Sequence, residues 1–398
     1  MARTWLLGAV SMVTIAAGAT DATPASTPAA RGQELFVRSW IAEDPQAGED
    51  GLGPYFNAES CVACHGTGGV GGSGGVAHNA RLVASMSSVQ PLPRFRVDGA
   101  PDLEAELLRP DRLTVDPIRP YKDQMIEPVV VERNAPALFG VALLEAIPSE
   151  ALTARIRAAP GADRGVRYHH EEGSSILRLG WKGDVATIRE FVAQACNAEL
   201  GLSTSEVRWI DLGEEVFVDP TPTDLTDADV DALTAFVSSL PRPVERSDAP
   251  GQVREGREHF AATGCTDCHA AKLGELEGAY TDLMLHDLGR DLGEPISAGA
   301  YGGRRRDDLA NLWRTPPLWG VADSAPYLHD GRASTLDEAI RLHGGEASWS
   351  TRRYDKLSDG ERAELLAFLA AQRAPTSLDQ PSSSQPREAS GKASKSGM

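Results

Sequence analysis

The sequence lacks several features that would direct its interpretation elsewhere. It has no run of lysine and arginine, and 57 acidic residues outnumber 39 basic ones, for a formal net charge of −18. A nucleic acid requires a basic face, so we expect no nucleic-acid partner, whereas an acidic surface suits a small basic protein. No apolar run reaches the ~20 residues of a membrane-spanning helix, and no Gly-Lys-Ser/Thr is present to form a phosphate-binding loop.

Cysteine is also scarce, with five residues in a chain of 398, four of which form two close pairs. An odd number in this arrangement is not typical of a disulfide framework. The fifth, Cys196, lies on the apolar face of a predicted helix, where a buried and unreactive thiol is expected. The two pairs therefore carry the cysteine chemistry of the chain.

The two ends of the chain are predicted to lie outside the folded part. Residues 1–19 have a positive start, an apolar centre and small residues at the end, which indicates a signal peptide and an exported, periplasmic protein. Residues 20–31 are predicted to be a linker. Residues 374–398 are polar and cannot bury enough apolar surface to order themselves, so we expect a disordered tail.

Between these ends, helical periodicity outweighs strand alternation. Residues 188–196, for example, place apolar side chains at helical spacing. A proline-rich break at residues 241–251 is the best candidate for a domain boundary. We therefore predict a mainly α protein with one domain at 32–245 and a second at 246–373.

The two predicted domains repeat the same landmarks. The pentapeptide Cys-x-x-Cys-His occurs at residues 61–65 and again at 265–269, each time after a helical segment that contains phenylalanine. Further along, Pro136–Ala142 matches Pro316–Ala322 at a constant offset of 180. The pattern predicts two homologous, cytochrome c-like domains with one motif each, the first carrying a large insertion between residues 143 and 222.

Each motif places two thiols and an imidazole within five residues. On a helical turn Cys61 and Cys64 face the same way, so both thiols can form thioethers to one porphyrin while His65 ligates the iron. A zinc site would need a second pair of ligands beside each motif, and a redox dithiol would need a strand-turn-helix setting. The sequence therefore favours two covalently bound c-type haems. The second would be held by Cys265, Cys268 and His269.

The second domain contains a block that resembles a known superfamily. The segment "PYLHDGRASTLDEAIRLHGGEA", which includes His329, is similar to a signature of the di-haem cytochrome c peroxidases. In that superfamily the sixth ligand of the electron-accepting haem lies fourteen residues after this histidine, which here is His343. The resemblance implies that His269 and His343 form a bis-histidine pair, with a surface or core histidine as the alternative, and that His329 makes hydrogen bonds near the haem edge.

Five ordered blocks between about residues 32 and 373 are similar to a family of di-haem oxidoreductases related to those peroxidases. The blocks are "GLGPYFNAESCVACHGTGGVGG", "RNAPALFGVALLEAIP", "LGWKGDVATIREFV", "LHDLGRDLG" and "WRTPPLWGVADSAPYLHDGRASTLDEAIRLHGGEA". The resemblance implies that an external donor, a cytochrome c or a cupredoxin-like protein, reduces the second haem, and that hydrogen peroxide or a related oxidant is reduced at the first. It also allows a calcium ion, for which the sequence identifies no ligands.

The first domain lacks a counterpart of the segment from His329 to His343, so its haem is the candidate reactive one. Its motif is followed by seven glycines in residues 66–75 and then by His78. A glycine-rich segment changes its backbone angles easily, which suits a loop that places His78 on the iron at rest and withdraws it on activation. The alternative is a simple surface loop.

Two further residues and the chain as a whole have two interpretations each. Glu145 lies in an apolar run where burial would raise its pKa, which suits proton transfer during peroxide cleavage, whereas a helix-surface glutamate is the alternative. Trp181 could connect the haems electronically, but a core tryptophan is favoured. No role is assigned to His286 or to residues 169–170. The alternative to an enzyme is a non-catalytic di-haem electron carrier in which both haems keep two protein ligands.

Overall fold

The computed structural model describes residues 27–53, 56–84, 89–91, 129–158, 176–206, 222–294 and 310–376. The predicted signal peptide, residues 169–170 and most of the predicted linker and tail lie outside these ranges. The first helix begins at Pro28, within the predicted linker. It begins there because the Thr27 side chain accepts the backbone N–H of Ala30 at 3.2 Å, and because proline suits the first helical position.

More of the described residues lie in helices than in strands, in agreement with the mainly α prediction. The helices are α1 (Pro28–Val37), α2 (Cys61–Cys64), α3 (Val141–Glu145), α4 (Ser149–Ala158), α5 (Ile188–Leu200), α6 (Asp227–Ser239), α7 (Pro250–Ala262), α8 (Leu336–Leu342), α9 (Ser348–Tyr354) and α10 (Asp359–Ala370). Among these residues no helix is long and apolar enough to cross a membrane.

The strands are short and pair only with near neighbours in space. They are β1 (Ala80–Ala84), β2 (Val89–Pro91), β3 (Val129–Arg133), β4 (Val244–Glu245), β5 (Lys272–Leu273), β6 (Leu276–Glu277), β7 (Leu285–Asp287), β8 (Leu312–Arg314) and β9 (Gln372–Arg373). The first three form an antiparallel sheet in the order β2-β1-β3, and the others form two-stranded pairs, β4-β9, β5-β6 and β7-β8.

Two crossed helix pairs form the frame, α1 with α6 and α7 with α10. Each crossing depends on a glycine. A Cβ on Gly32 would lie 1.9 Å from the carbonyl oxygen of Ala232, and a Cβ on Gly256 would lie 1.9 Å from that of Glu364. Because no side chain fits in either gap, the helix backbones approach each other directly.

Phenylalanines complete both crossings in the same way. Phe36 meets Phe236 in the first pair and Phe260 meets Phe368 in the second, with ring centroids 5.1 and 5.3 Å apart. The ring of Phe36, and likewise that of Phe260, lies 6.2 Å from the imidazole of the motif that follows it. Each frame therefore supports its own Cys-x-x-Cys-His motif from behind, within its own apolar core.

The first half of the chain is longer than the second at several places. Cys61 follows Gly32 by 29 positions, whereas Cys265 follows Gly256 by nine. The sheet β2-β1-β3 adds length after the first motif. The insertion predicted between residues 143 and 222 stays a prediction, and the longer connection from the first helix pair to its motif is a further difference between the halves.

Candidate haem sites

The first motif is held in a single helical turn. The hydroxyl of Ser60 caps α2 by accepting the backbone N–H of Ala63 at 3.3 Å. His65 follows the turn, with its backbone N–H donated to the carbonyl of Cys61 at 2.9 Å. On its ring, Nδ1 lies 3.1 Å from the carbonyl oxygen of Gly72. A ring that donates through Nδ1 presents the lone pair of Nε2, which is the usual arrangement of a metal-ligating histidine.

The second motif repeats this geometry on a tighter turn. Residues 265–267 form a 3-10 turn, and the backbone N–H of His269 is donated to the carbonyl of Cys265 at 2.9 Å. The ring Nδ1 of His269 lies 3.0 Å from the carbonyl oxygen of Tyr280. Both motif histidines are thus oriented by a backbone carbonyl from a later loop.

Both motifs open on one cavity of about 450 Å³, which is of ligand size and far larger than the space one water needs. The motif residues that line it are Cys61, Cys64, His65, Cys265, Cys268 and His269. Other polar and aromatic lining residues include His78, Trp181, His286, Trp313, His329 and His343. The rest of the wall is largely aliphatic.

His343 faces this cavity from the end of α8. Its ring Nδ1 lies 2.6 Å from the carbonyl oxygen of Ala339, one turn back in the helix. Burial lowers the pKa of His343, and burial followed by the neighbouring His343 lowers the pKa of His269 to about 4. Burial also lowers the pKa of His65. All three imidazoles are therefore neutral at pH 7, the form that ligates a metal.

These features fit haem better than zinc. Burial raises the pKa of the Cys61 thiol to about 12 and also raises that of Cys265. Three imidazoles, each with Nδ1 near a backbone carbonyl, line an apolar cavity too large for a single ion. A flat apolar cofactor with an axial iron would match this lining.

His78 lies beside the first motif, but its loop is more closely packed than the sequence suggested. The side chain of His78 is exposed, and its carbonyl accepts the thiol of Cys64 at 3.4 Å. A Cβ on Gly72 would lie 1.8 Å from the carbonyl oxygen of Thr67. The backbone N–H of Gly74 is donated to Ala135 at 2.8 Å. Close packing therefore accounts for Gly72 and Gly74, two of the glycines that the sequence analysis interpreted as a source of mobility.

Glu145 is not among the described residues that line the cavity. It is half-buried at the end of α3, and its carboxylate accepts the backbone N–H of Ile188, the first residue of α5, at 2.8 Å. An acidic side chain there satisfies a donor that the helix itself cannot pair. The structure thus uses the Glu145 carboxylate to cap α5, and its role in proton transfer stays a prediction.

The remaining aromatic and histidine residues of the cavity form one cluster. Trp181, which is half-buried, donates its indole N–H to the carbonyl of Asn134 at 2.9 Å and meets Trp313 edge-on at 6.4 Å. His329 stacks on Trp313 with ring centroids 3.7 Å apart, and burial lowers its pKa to about 3.

Cys196 is buried, as expected of a structural thiol.

His286 lies between two carboxylates near the second motif. Its ring nitrogens lie 3.1 Å from a carboxylate oxygen of Asp282 and 3.2 Å from one of Glu346. Burial opposes protonation, but the hydrogen bond to Asp282 and those that follow raise the pKa of His286 to about 11. A protonated imidazole cannot ligate a metal, so His286 serves as a cation in this structure.

A buried charge cluster behind Trp313 escaped the sequence analysis. Lys182 is fully buried; its Nζ lies 3.3 Å from the Trp313 ring centroid and 3.6 Å from a carboxylate oxygen of Glu294. The Arg133 side chain donates to Glu294 at 2.5 Å. No sequence signal identified these residues, because Lys182 stands in a Gly-Trp-Lys-Gly segment that is typical of an exposed turn.

One acidic group could attract a cation. Among the described residues, carboxylate oxygens of Glu49, Asp50 and Asp224 lie within 4.8 Å of one another, and two of the three side chains are exposed. The group lies in the first half of the chain.

The comparison with protein-family models gives one match. Residues 180–372 match the model described as "Di-haem oxidoreductase, putative peroxidase". The matched stretch, just under half of the chain, is similar to that family. The match contains the second motif and His343 but begins after the first motif, so the first motif is supported by its own geometry.

The sequence matches to relatives span only part of this chain and only part of each relative. The chain is similar to the methylamine utilization protein MauG of Methylorubrum extorquens, with 27% identity over 117 residues, 28% of this chain and 31% of that protein. It is also similar to the protein of that name from Methylophilus methylotrophus, with 28% identity over 114 residues, 26% of this chain and 31% of that protein. The match therefore spans about a third of these relatives.

Solved structures give distant matches. The diheme peroxidase BthA from Burkholderia thailandensis is 17% identical, with a TM-score of 0.44 over 88% of this chain and 89% of that chain. The Kuenenia stuttgartiensis hydrazine synthase is 16% identical, with a TM-score of 0.36 over 60% of this chain and 72% of that chain.

Proposed function

We propose that the protein is an exported c-type di-haem enzyme with two cytochrome c-like haem domains. The observation that carries this proposal is the unequal pair of sites on one cavity: His343 faces the cavity close to His269, whereas His78, the histidine that follows the first motif, has an exposed side chain. Two ligands suit electron transfer, and one ligand leaves room for an oxidant.

The residues of the chain would divide the work accordingly. The four motif cysteines would attach the haems covalently, and His65 and His269 would be their axial ligands, oriented by the carbonyls of Gly72 and Tyr280. His343 would complete the second site. Bound haems would supply the redox chemistry, with electrons entering at the second and hydrogen peroxide or a related oxidant being reduced at the first.

His78, near the first motif, and Glu145, at the end of α3, would serve access and proton movement. His78 would be a displaceable group that blocks the first site at rest, and Glu145 would move a proton between the oxygens of a peroxide. Since Glu145 caps α5, its participation would require the carboxylate to leave Ile188. No other residue in this proposal carries a proton.

The partners follow from charge and from the family. The acidic chain suits a small basic electron donor, such as a cytochrome c or a cupredoxin-like protein, arriving from solvent. A calcium ion remains part of the proposal, without an assigned site.

The proposal is tested by mass and by spectrum. The mature protein, produced in a host that attaches haem to Cys-x-x-Cys-His motifs, should gain the mass of two haems. In the half-reduced state the first haem should be high-spin and react with hydrogen peroxide. A single haem addition, or two haems that stay low-spin and unreactive in every redox state, would contradict the enzyme and favour the electron carrier.

Single substitutions separate the proposed roles. His343→Gly should turn the second haem high-spin while both haems stay attached. His78→Gly should remove any need for prior reduction, and Glu145→Gln should slow peroxide cleavage without blocking peroxide binding. Stopped-flow mixing with peroxide measures the last two. An unchanged spectrum and lag in His78→Gly would disprove the blocking role.

A further inference from the structure

Helices α5 and α8 begin with the same capping arrangement. The Thr187 hydroxyl accepts the backbone N–H of Glu190 at 3.2 Å, and the Thr335 hydroxyl accepts that of Glu338 at 3.1 Å. Each glutamate in turn accepts the backbone N–H of the residue that precedes the threonine, at 3.1 and 2.7 Å. Two reciprocal caps of this kind fix the start of a helix, so the two helices can be compared position by position from their threonines.

The two helices also occupy equivalent places. From α5, Ile188 and Val192 line the cavity and pack in the same apolar cluster as Cys61. The same positions in α8 are Leu336 and Ile340, which line the cavity and pack in the cluster that includes Cys265. Each helix therefore forms one wall of the cavity beside its own motif.

Eight positions after the capping threonine, the two walls differ. In α8 this position is His343, the imidazole that faces the cavity near His269. In α5 it is Ala195, which also lines the cavity. Four positions earlier, on the same face, α8 has Ala339 and α5 has Phe191, both lining the cavity. The order of the two side chains is therefore reversed. In α8 the small Ala339 comes before the large His343, whereas in α5 the large Phe191 comes before the small Ala195.

We propose that residue 195 is the sixth-ligand position of the first site, and that Phe191 and Ala195 together keep this position open. The proposal rests on the proposed function only in requiring a haem at each motif. The methyl group of Ala195 has no lone pair to offer a metal. The ring of Phe191 lies where α8 has only the methyl group of Ala339, so it limits the space for a larger side chain at 195.

The second wall shows what closure requires. His343 needs space beside Ala339, and its Nδ1 uses the carbonyl of that residue at 2.6 Å. The two walls thus predict a double exchange, Phe191→Ala with Ala195→His, that would rebuild the second wall in the first site. The reverse exchange, Ala339→Phe with His343→Ala, would convert the second wall into the first.

The experiment uses the haem-loaded protein, with carbon monoxide as the probe of an open ferrous position. The wild type should bind one carbon monoxide per chain. The Phe191→Ala/Ala195→His variant should keep two haems, show a low-spin in place of a high-spin signal in the electron paramagnetic resonance spectrum of the half-reduced state, and lose carbon monoxide binding. The reverse exchange should raise binding to two per chain. Gln194→His is the matched control. Gln194 does not line the cavity, and its side-chain amide donates a hydrogen bond to the carboxylate of Glu190 at 3.1 Å.

The outcomes separate this inference from the proposed function. If the double exchange keeps two haems but its first haem stays high-spin and binds carbon monoxide as before, residue 195 is not the sixth-ligand position. Should the histidine variant fail to load haem, Ala195→Met, with a slender and flexible thioether, provides the same test. Peroxide activity does not enter either result, so a lack of activity in the wild type would count against the proposed function alone.

Discussion

In both halves of the molecule a glycine lets two helices cross in direct contact beside a Cys-x-x-Cys-His motif, yet the walls opposite the motifs differ. A Cβ added to Gly32 or to Gly256 would lie 1.9 Å from the backbone of the facing helix. The two helix crossings are therefore almost the same. The walls, α5 and α8, have the same caps and different side chains at the position that faces the cavity. A repeated frame can thus hold two sites with different chemistry.

The contact between the halves differs in kind from their apolar cores. Arg133 in β3 pairs with Glu294 beyond β7, and Lys182 donates to the carbonyl oxygen of Leu312 at 2.8 Å. The backbone N–H of Arg314 is donated to Trp181 at 2.9 Å. Charges buried at such a contact are costly unless they are paired, so this region is expected to fix the orientation of the halves more than to add stability.

The largest expected effect breaks one frame and leaves the other intact. In Gly256→Val the new side chain would meet the backbone of Glu364 at 1.9 Å, and the helices must separate. A backbone clash cannot relax as a flexible side chain can, so we expect a loss of more than about 3 kcal/mol, a large fraction of the stability of a domain. Haem loading should fall to one per chain, measured by mass spectrometry.

A matched control lies on the same helix. A Cβ on Gly251 would meet nothing within 4 Å, so Gly251→Ala should be neutral or stabilising by up to about 1 kcal/mol through helix propensity. If Gly256→Val still loads two haems at the wild-type level, the close crossing is not what holds the second motif.

The sequence predicted the parts of this comparison that depend on local patterns. The two motifs and the helical character follow from spacing within short segments, whereas His343 follows from the resemblance of the segment that begins at Pro326 to the di-haem peroxidase signature. The match between α5 and α8 was accessible in the Thr-x-x-Glu pattern, but the search used the single offset of 180 found at Pro136 and Pro316. Thr187 and Thr335 are 148 apart, since the first half carries more residues between these landmarks.

Other parts could not be read from the sequence, because they depend on contacts between distant residues. Glu145 looked like a buried acid in an apolar run, and only the arrival of α5 shows that it caps Ile188. Lys182 is buried through residues more than a hundred positions away. Gly71, Gly72 and Gly74 have close neighbours in space, whereas a Cβ on Gly75 would meet nothing within 4 Å.

A smaller effect is expected from loosening the contact between the halves. Glu294→Gln would leave Arg133 and Lys182 buried without the carboxylate that pairs with both. The amide oxygen can still accept a hydrogen bond, so the loss of the charge should cost about 1–3 kcal/mol, which chemical denaturation would measure at neutral pH. Both haems should stay attached, because neither motif contacts Glu294 through any ion pair or hydrogen bond described above.

Exposed acidic pairs supply the control for that substitution. Glu277 pairs with Lys272 at 3.0 Å, and its side chain is 70% exposed. Glu277→Gln should change the free energy of unfolding by no more than about 0.5 kcal/mol. Equal effects of the two substitutions would mean that the buried cluster contributes no more than a surface pair.

The smallest effect, taken per pH unit, is expected from the titration of Lys182 at the contact between the halves. Burial, opposed by Glu294, lowers the pKa of Lys182 from 10.5 to about 7. Between these values the unfolded chain binds a proton at this side chain that the folded chain does not. The contribution of Lys182 to the free energy of unfolding therefore rises with pH across this window, by up to about 1.4 kcal/mol per pH unit, and is constant below it. Lys182→Met should reduce the slope of stability against pH by nearly one proton, while Lys272→Met, at an exposed position, should leave the slope parallel to that of the wild type. If both variants run parallel to the wild type in denaturation series taken across the window, Lys182 stays protonated in the fold, and the contact between the halves holds two cations against one carboxylate.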